Sequence, residues 1–210
     1  MGARRSFCQE WPMTFQAVLW DFGDTLADER WMLAPLAGAP RWPEVYRQVL
    51  DGGGLADRWN VGSMSAADVA AEFSRALGIE TGCILDHMRA CCRNVSFYPE
   101  VMALAARLDG PQAIVTINPD VFSEVVVPAY DLSARFDAIV TSWEARTLSK
   151  ADLCDVAMSR LAGGLDRQAC LLIDNRMENV AQWRTRGGAA WLFQDCGGLA
   201  DYLAPLVSPS

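Results

Sequence analysis

The chain carries a single histidine, His87, and that scarcity excludes a histidine dyad and any multi-histidine metal site. Alone in a helical stretch, His87 is expected to be structural. Seven cysteines occur without any Cys-x-x-Cys spacing, and the adjacent pair Cys91 and Cys92 lacks partners for a tetrahedral metal centre. Thiols used this way fit a reducing compartment, so the expected location is cytoplasmic. Basic residues are in deficit too. The net charge of −8 removes the positive face that a nucleic acid would require. Long hydrophobic runs are absent: residues 169–173 and 189–193 are far too short to span a bilayer, so no membrane partner is expected. Arg4 and Arg5 are followed by no sustained apolar stretch, and the reading expects no signal peptide. What remains is an ordinary globular mixture, 51% hydrophobic and 21% charged over 210 residues, enough for a full core.

Five short apolar runs, rich in β-branched residues, recur at 17–20, 113–115, 138–140, 169–173 and 189–193. Helical patterns separate them. Val101, Leu104, Ala105 and Leu108 share one helix face before Gly110, and Leu153, Val156, Ala157 and Leu161 do so before Gly163 and Gly164. This alternation predicts an α/β fold, a Rossmann-like doubly wound parallel sheet with helices on both faces.

Residues 28–97 break the rhythm, with helical signs and no strand. Ser65 and Asp68 form a capping-box-like start, Val69, Phe73 and Leu77 line one face, and Gly78 suits a helix exit. Residues 84–92 predict another helix. The expected organisation is a flexible extension over 1–12, a core built from 13–27 and 98–210, and an inserted small helical cap domain over 28–97. Trp31, Trp42 and Trp59 either line a cap face or form that unit's own core.

Chemistry is expected at the carboxyl ends of the strands, where open α/β sheets place their ligands. Asp21 ends the first run, in Ala-Val-Leu-Trp-Asp-Phe-Gly-Asp-Thr-Leu; Thr116 ends the second; Lys150 opens a helix between Ser149 and Asp152; Asp174 ends the fourth. The first stretch resembles the opening motif of the haloacid dehalogenase superfamily, a hydrophobic strand followed by Asp-x-Asp-x-Thr. Asp21, Thr25 and Leu26 match it, and Gly23 stands in place of the second aspartate. Residues 112–118 resemble the second motif, with Ile117 intervening between Thr116 and Asn118. Lys150 resembles the third-motif lysine, followed by Ala151 where proline is common. Residues 170–180 resemble the fourth, with Asn175 in place of a second acid.

The resemblance implies a magnesium-dependent hydrolase, a phosphatase acting on a small phosphorylated molecule through an aspartyl-phosphate. Asp21 would be the nucleophile. Thr116, Asn118 and Lys150 would hold the phosphate, and Asp21, Asp174 and a backbone carbonyl near Gly23 would take Mg²⁺. Glu178 would act behind that shell. Gly23 cannot give the proton that the second aspartate supplies to the leaving group, and Asp24 is the candidate replacement. A halide leaves without a proton, so a 2-haloacid dehalogenase is the alternative; retention of Asp174 favours phosphate. A third reading is a weakly active or inactive member that binds a phosphorylated ligand.

Overall fold

Both faces of the run Ala17–Trp20 are apolar, and such a strand is stable only between two covering layers. The structure, a computed structural model, describes residues 15–161 and 164–206. The extension expected over 1–12 lies outside the described residues, as does Gly163. Five strands form one parallel sheet: β1 (Ala17–Trp20), β2 (Gln112–Thr116), β3 (Ala138–Thr141), β4 (Cys170–Asp174) and β5 (Ala189–Leu192), in the order β3-β2-β1-β4-β5. Each run read from the sequence is therefore a strand. The central β1 is the point from which the chain first builds outward to β3 and then crosses to β4.

Ten α-helices accompany the sheet among the described residues. They are α1 (Trp42–Asp51), α2 (Leu55–Asn60), α3 (Ala66–Leu77), α4 (Thr81–Cys92) and α5 (Pro99–Ala105). After β2 a π-helical turn, Phe122–Val126, runs into the short α6 (Val127–Ala129). The remainder are α7 (Ser142–Ala145), α8 (Lys150–Arg160), α9 (Met177–Thr185) and α10 (Cys196–Leu203). None is long and apolar enough to cross a membrane.

Alternation along each strand divides the core. Ala17, Leu19, Val115, Val140 and Leu172 face α8 and α9, packing against Leu153, Cys154, Ala157, Val180 and Trp183. Val18, Trp20, Ile114 and Ile173 face the other way, against α5, the π-turn and α10. That second core does not stop at the sheet. It runs on through Phe22 and Leu26 into Trp42, Trp59, Phe73, Ile84 and Met88 of the helical segment. Trp42 is wholly buried, its Nε1 donating to the Met32 carbonyl at 2.8 Å, so it is a core residue.

Local signals hold closely in that segment. Ser65 and Asp68 make both bonds of a capping box at α3, and Gly78 leaves the helix at φ 68°, a conformation open to glycine. His87 is half-buried, its Nε2 3.1 Å from the Ala34 carbonyl and its ring edge-on to Trp42, a structural placement. One expectation shifts. The helix containing Val101 ends at Ala105, short of Leu108, and there the Gln112 side chain on β2 donates to the buried Ala105 carbonyl at 2.9 Å. Leu108 is still buried.

The chain enters and leaves the helical segment through two passages running antiparallel. Ala27 pairs with Phe97, Asp28 N–H donates to the Ser96 carbonyl at 2.9 Å, and Tyr98 N–H donates to Leu26 at 2.9 Å. A third tie comes from Asp120, in the turn after β2. Its Oδ1 accepts from Trp59 Nε1 at 2.8 Å and its Oδ2 from Ala66 N–H at 2.7 Å, fastening the α2–α3 corner over the sheet. Arg146, just past α7, also donates to the carbonyls of Val61 and Gly62.

Asp120 is buried, and removing it strands the Trp59 and Ala66 donors. Asp120→Ala is expected to lower unfolding stability by at least about 3 kcal/mol, measured by denaturant titration, given about 1.5–3 kcal/mol per hydrogen bond to a charged group. Asp120→Asn, which keeps one acceptor, should lose less.

Candidate active site

Register sets the site. Trp20 stands opposite Ile173, so the next residues, Asp21 and Asp174, fall side by side at the carboxyl end of the sheet. Asp21 N–H still donates to the Ile173 carbonyl at 2.9 Å, which holds its backbone to the strand line. On the other side Trp20 stands opposite Ile114, bringing Thr116 level with the turn that follows Asp21.

Lys150 begins α8, whose start is capped by Ser149 accepting from Asp152 N–H. Its side chain, 1% exposed, reaches between the two aspartates: Nζ lies 2.7 Å from Asp21 Oδ1 and 3.0 Å from Asp174 Oδ2. A third bond runs to the Val115 carbonyl at 2.9 Å, so all three ammonium protons are used. Burial alone would lower the lysine pKa, but Asp21 and Asp174 outweigh it and raise it above the ordinary value. Lys150 is thus a fixed cation.

The two carboxylates differ. Asp174 is wholly buried and its oxygens are spoken for: Oδ1 accepts from Arg176 N–H at 2.8 Å and from Asn179 Nδ2 at 3.0 Å, while Oδ2 accepts from Asn179 and Lys150, each at 3.0 Å. Asp21 borders an open cavity of about 250 Å³. Burial pushes its carboxyl up to about 6; Lys150 works against that rise and Asp174 adds to it. Above that pH it is an ionised carboxylate paired, among the described residues, with Lys150.

Thr116 and Asn118 border the same cavity and are coupled. Asn118 Nδ2 donates to Thr116 Oγ1 at 2.7 Å, which leaves the hydroxyl hydrogen to be given to a ligand. The far wall comes from the helical segment: Trp31, Tyr46, Leu50 and Trp59. Trp42, from the same candidate trio, lies in the core instead. Asn175 and Arg176 complete the rim after β4.

Some candidates are not brought in. Thr25 is wholly buried away from the cavity, its hydroxyl without a partner among the described residues. Asp24 has φ 50° and turns its carboxylate back on its own loop, where Oδ1 accepts from Glu29 N–H at 3.1 Å; it borders a separate hollow with Tyr98 and Asp195. Glu178 is exposed on α9 and borders neither cavity. In its place Asn179, one residue on, clamps Asp174. Asn179 and Arg176 lie within the stretch 170–180 that resembles the fourth motif, where no role is expected of them, and Glu29 lies in no motif. For Lys150 there was one further signal: it is the only lysine in the chain.

Among the described residues no group of three or more His, Cys, Asp or Glu side chains is arranged around a metal position. Magnesium, however, needs only one or two carboxylates, with waters and substrate phosphate completing its shell. Asp21 has an oxygen not engaged by Lys150, the Gly23 backbone lies on the same cavity, and the donors are all hard oxygens. The donor chemistry fits a Mg²⁺ ion, and Asp174 would join only by giving up one of its present hydrogen bonds.

Comparison with solved structures places this arrangement in a known class of fold. A predicted HAD-like family hydrolase from Porphyromonas gingivalis superposes with a TM-score of 0.70 at 16% identity, covering 91% of this chain and 98% of that one. A HAD family enzyme from Bacteroides thetaiotaomicron, in complex with magnesium and inorganic phosphate, gives 0.68 at 14% identity over 88% of this chain and 98% of its own. The L-2-haloacid dehalogenase of Xanthobacter autotrophicus, with chloropropionic acid covalently bound, gives 0.65 at 16% identity, covering 93% of this chain and 85% of that chain. No family model and no curated protein matches the sequence. The chain therefore has the α/β fold of the haloacid dehalogenase-like hydrolases.

Replacing Lys150 tests the electrostatic account. In Lys150→Met the two carboxylates face each other unpaired, and breaking such a buried pair costs about 3–5 kcal/mol. The Asp21 pKa, already raised by burial, then rises further above its unfolded value, so the penalty is full at pH 8 and shrinks as pH falls and a proton replaces the lysine. Thermal unfolding of both proteins at pH 8 and pH 5 should show a smaller difference at pH 5; an equal difference would contradict the pairing.

Proposed function

We propose that this chain is a phosphatase of the haloacid dehalogenase superfamily, hydrolysing a small phosphomonoester with Asp21 as nucleophile. The observation that carries the reading is Asp21 itself, ending the central strand, held at 2.7 Å by a buried lysine and open to a cavity of about 250 Å³. An Asp21 carboxylate oxygen attacks phosphorus as the bond to the leaving oxygen breaks, giving an aspartyl-phosphate that water then hydrolyses. The Thr116 hydroxyl donates to a phosphate oxygen and is held for that purpose by Asn118. Lys150 keeps Asp21 oriented and balances its charge.

Charge counting supports a cation. Asp21, Asp174 and Lys150 sum to −1, and a phosphate group brings about −1.5 to −2 more at neutral pH. Among the described residues, Arg176 is the other cation bordering the cavity. A Mg²⁺ ion bound by Asp21, the Gly23 carbonyl and Asp174 would supply the missing positive charge and stabilise the transferring phosphoryl. Residues 28–97 act in this reading as a cap, whose aromatic wall excludes water and selects the leaving group. The protein works in the cytoplasm on a soluble small molecule.

A second reading has its own observation. Lys150 and Asn179 already satisfy both oxygens of Asp174, which is what a site working without metal would require. Asp21 would then attack carbon and expel halide from a 2-haloacid.

A panel of phosphomonoesters and 2-haloacids, each assayed with Mg²⁺ and with chelator, separates the two. The expected outcome is phosphate release that needs Mg²⁺, abolished in Asp21→Asn and reduced together with the metal dependence in Asp174→Asn. Halide release in chelator without phosphate release would establish the second reading instead.

A further inference from the structure

The site as described lacks an acid for the leaving group, because Gly23 occupies the position two residues after the nucleophile. A Cβ placed on Gly23 would stand 3.1 Å from Glu29 Oε2 and 3.2 Å from Glu29 Cβ. The Glu29 side chain therefore fills the space that a side chain at position 23 would enter. Resting on the phosphatase reading above, we propose that Glu29 is the general acid and base of this site, delivered by the first turn of the helical segment.

The loop is built to deliver it. Asp24 N–H donates to the Ala27 carbonyl at 2.7 Å, closing the turn after Gly23. Asp24 Oδ1 then accepts from Glu29 N–H at 3.1 Å, and Asp28 caps the 3₁₀ helix Glu29–Leu33 by accepting from Arg30 N–H at 2.9 Å. Glu29 is the first residue of that helix and comes back over Gly23. Its carboxylate accepts no hydrogen bond among the described residues, so a proton there is available to a ligand. Of the described residues bordering the Asp21 cavity, Asp21 and Glu29 are the ones with carboxyl groups. Asp24 spends an oxygen on the loop and Glu178 lies outside, which leaves Glu29.

The chemistry balances in two steps. As the bond from Asp21 to phosphorus forms and the ester P–O bond breaks, the Glu29 proton passes to the departing oxygen and an alcohol leaves. The resulting Glu29 carboxylate then takes a proton from water as that water's oxygen attacks phosphorus. Cleavage of the aspartyl-phosphate releases phosphate and restores both residues. Missing acid help at position 23 is thereby replaced from a different element of the fold.

The test is a comparison of Glu29→Gln with wild type on an alkyl phosphate and on p-nitrophenyl phosphate, at saturating Mg²⁺. An alkoxide needs the proton and nitrophenolate does not, so kcat on the alkyl ester should fall about 10²–10⁴-fold and on the aryl ester less than about tenfold. Adding Gly23→Asp to Glu29→Ala, which removes the carboxylate standing 3.1 Å from a Cβ at position 23, should recover at least tenfold of the alkyl rate over Glu29→Ala alone, because truncation vacates most of that space. Circular dichroism and melting temperature confirm the fold of each variant. Equal losses on both esters, or no loss at all, would overturn the assignment to Glu29. A wild-type protein that hydrolyses neither ester overturns the phosphatase reading itself, a distinct result.

Discussion

A lysine ammonium with almost no contact with solvent is tolerable only where anionic and carbonyl oxygens replace every water it has lost. Lys150 meets that condition through Asp21, Asp174 and the Val115 carbonyl, which lie in or directly after three different strands. Much of the site's architecture serves the same condition. The parallel register sets Asp21 beside Asp174, the Ser149 cap fixes where α8 begins, and Asn179 on α9 holds Asp174 from behind. A shift of one residue in any of these strands would send an aspartate to the opposite face and leave a buried charge without its counter-charge.

A similar economy of buried acceptors fastens the helical segment. Asp120 satisfies a tryptophan N–H and a helix N-terminal N–H at once, both belonging to residues far from it in sequence. The segment also shares one continuous apolar core with a face of the sheet, from Trp20 through Phe22 to Trp42 and Phe73. The aromatic wall opposite Asp21 is therefore held by the same packing that holds the sheet, which keeps Trp31 and Trp59 at fixed positions over the strand ends.

Position 23 shows how a residue's absence acquires meaning only in three dimensions. Glycine there removes a carboxylate and at the same time opens room beside the strand end. The loop that follows, folded around Asp24 and Asp28, turns Glu29 into that room. Along the chain Glu29 is one acid among several near Asp21, with no spacing to mark it.

The order of strands and helices, the helical character of residues 28–97, and the placing of Asp21, Thr116, Lys150 and Asp174 at strand ends or a helix start were determined by the sequence alone. Hydrophobic periodicity and capping chemistry are local, and each can be read within a window of about ten residues. The same local logic located the capping box at Ser65 and the exit at Gly78. Tertiary structure decided the rest. Asn179 on α9, Arg176 at the start of that helix and Glu29 at the start of a 3₁₀ turn owe their roles to how those elements pack against distant partners, and Asp24 was turned away by a hydrogen bond to Glu29 that no spacing rule encodes. Asp174 carried the same uncertainty, because whether a carboxylate faces a cavity or a buried lysine depends on which side chains converge on it. Convergence of that kind is a property of packing between elements far apart in the chain, and a local pattern contains no information about it.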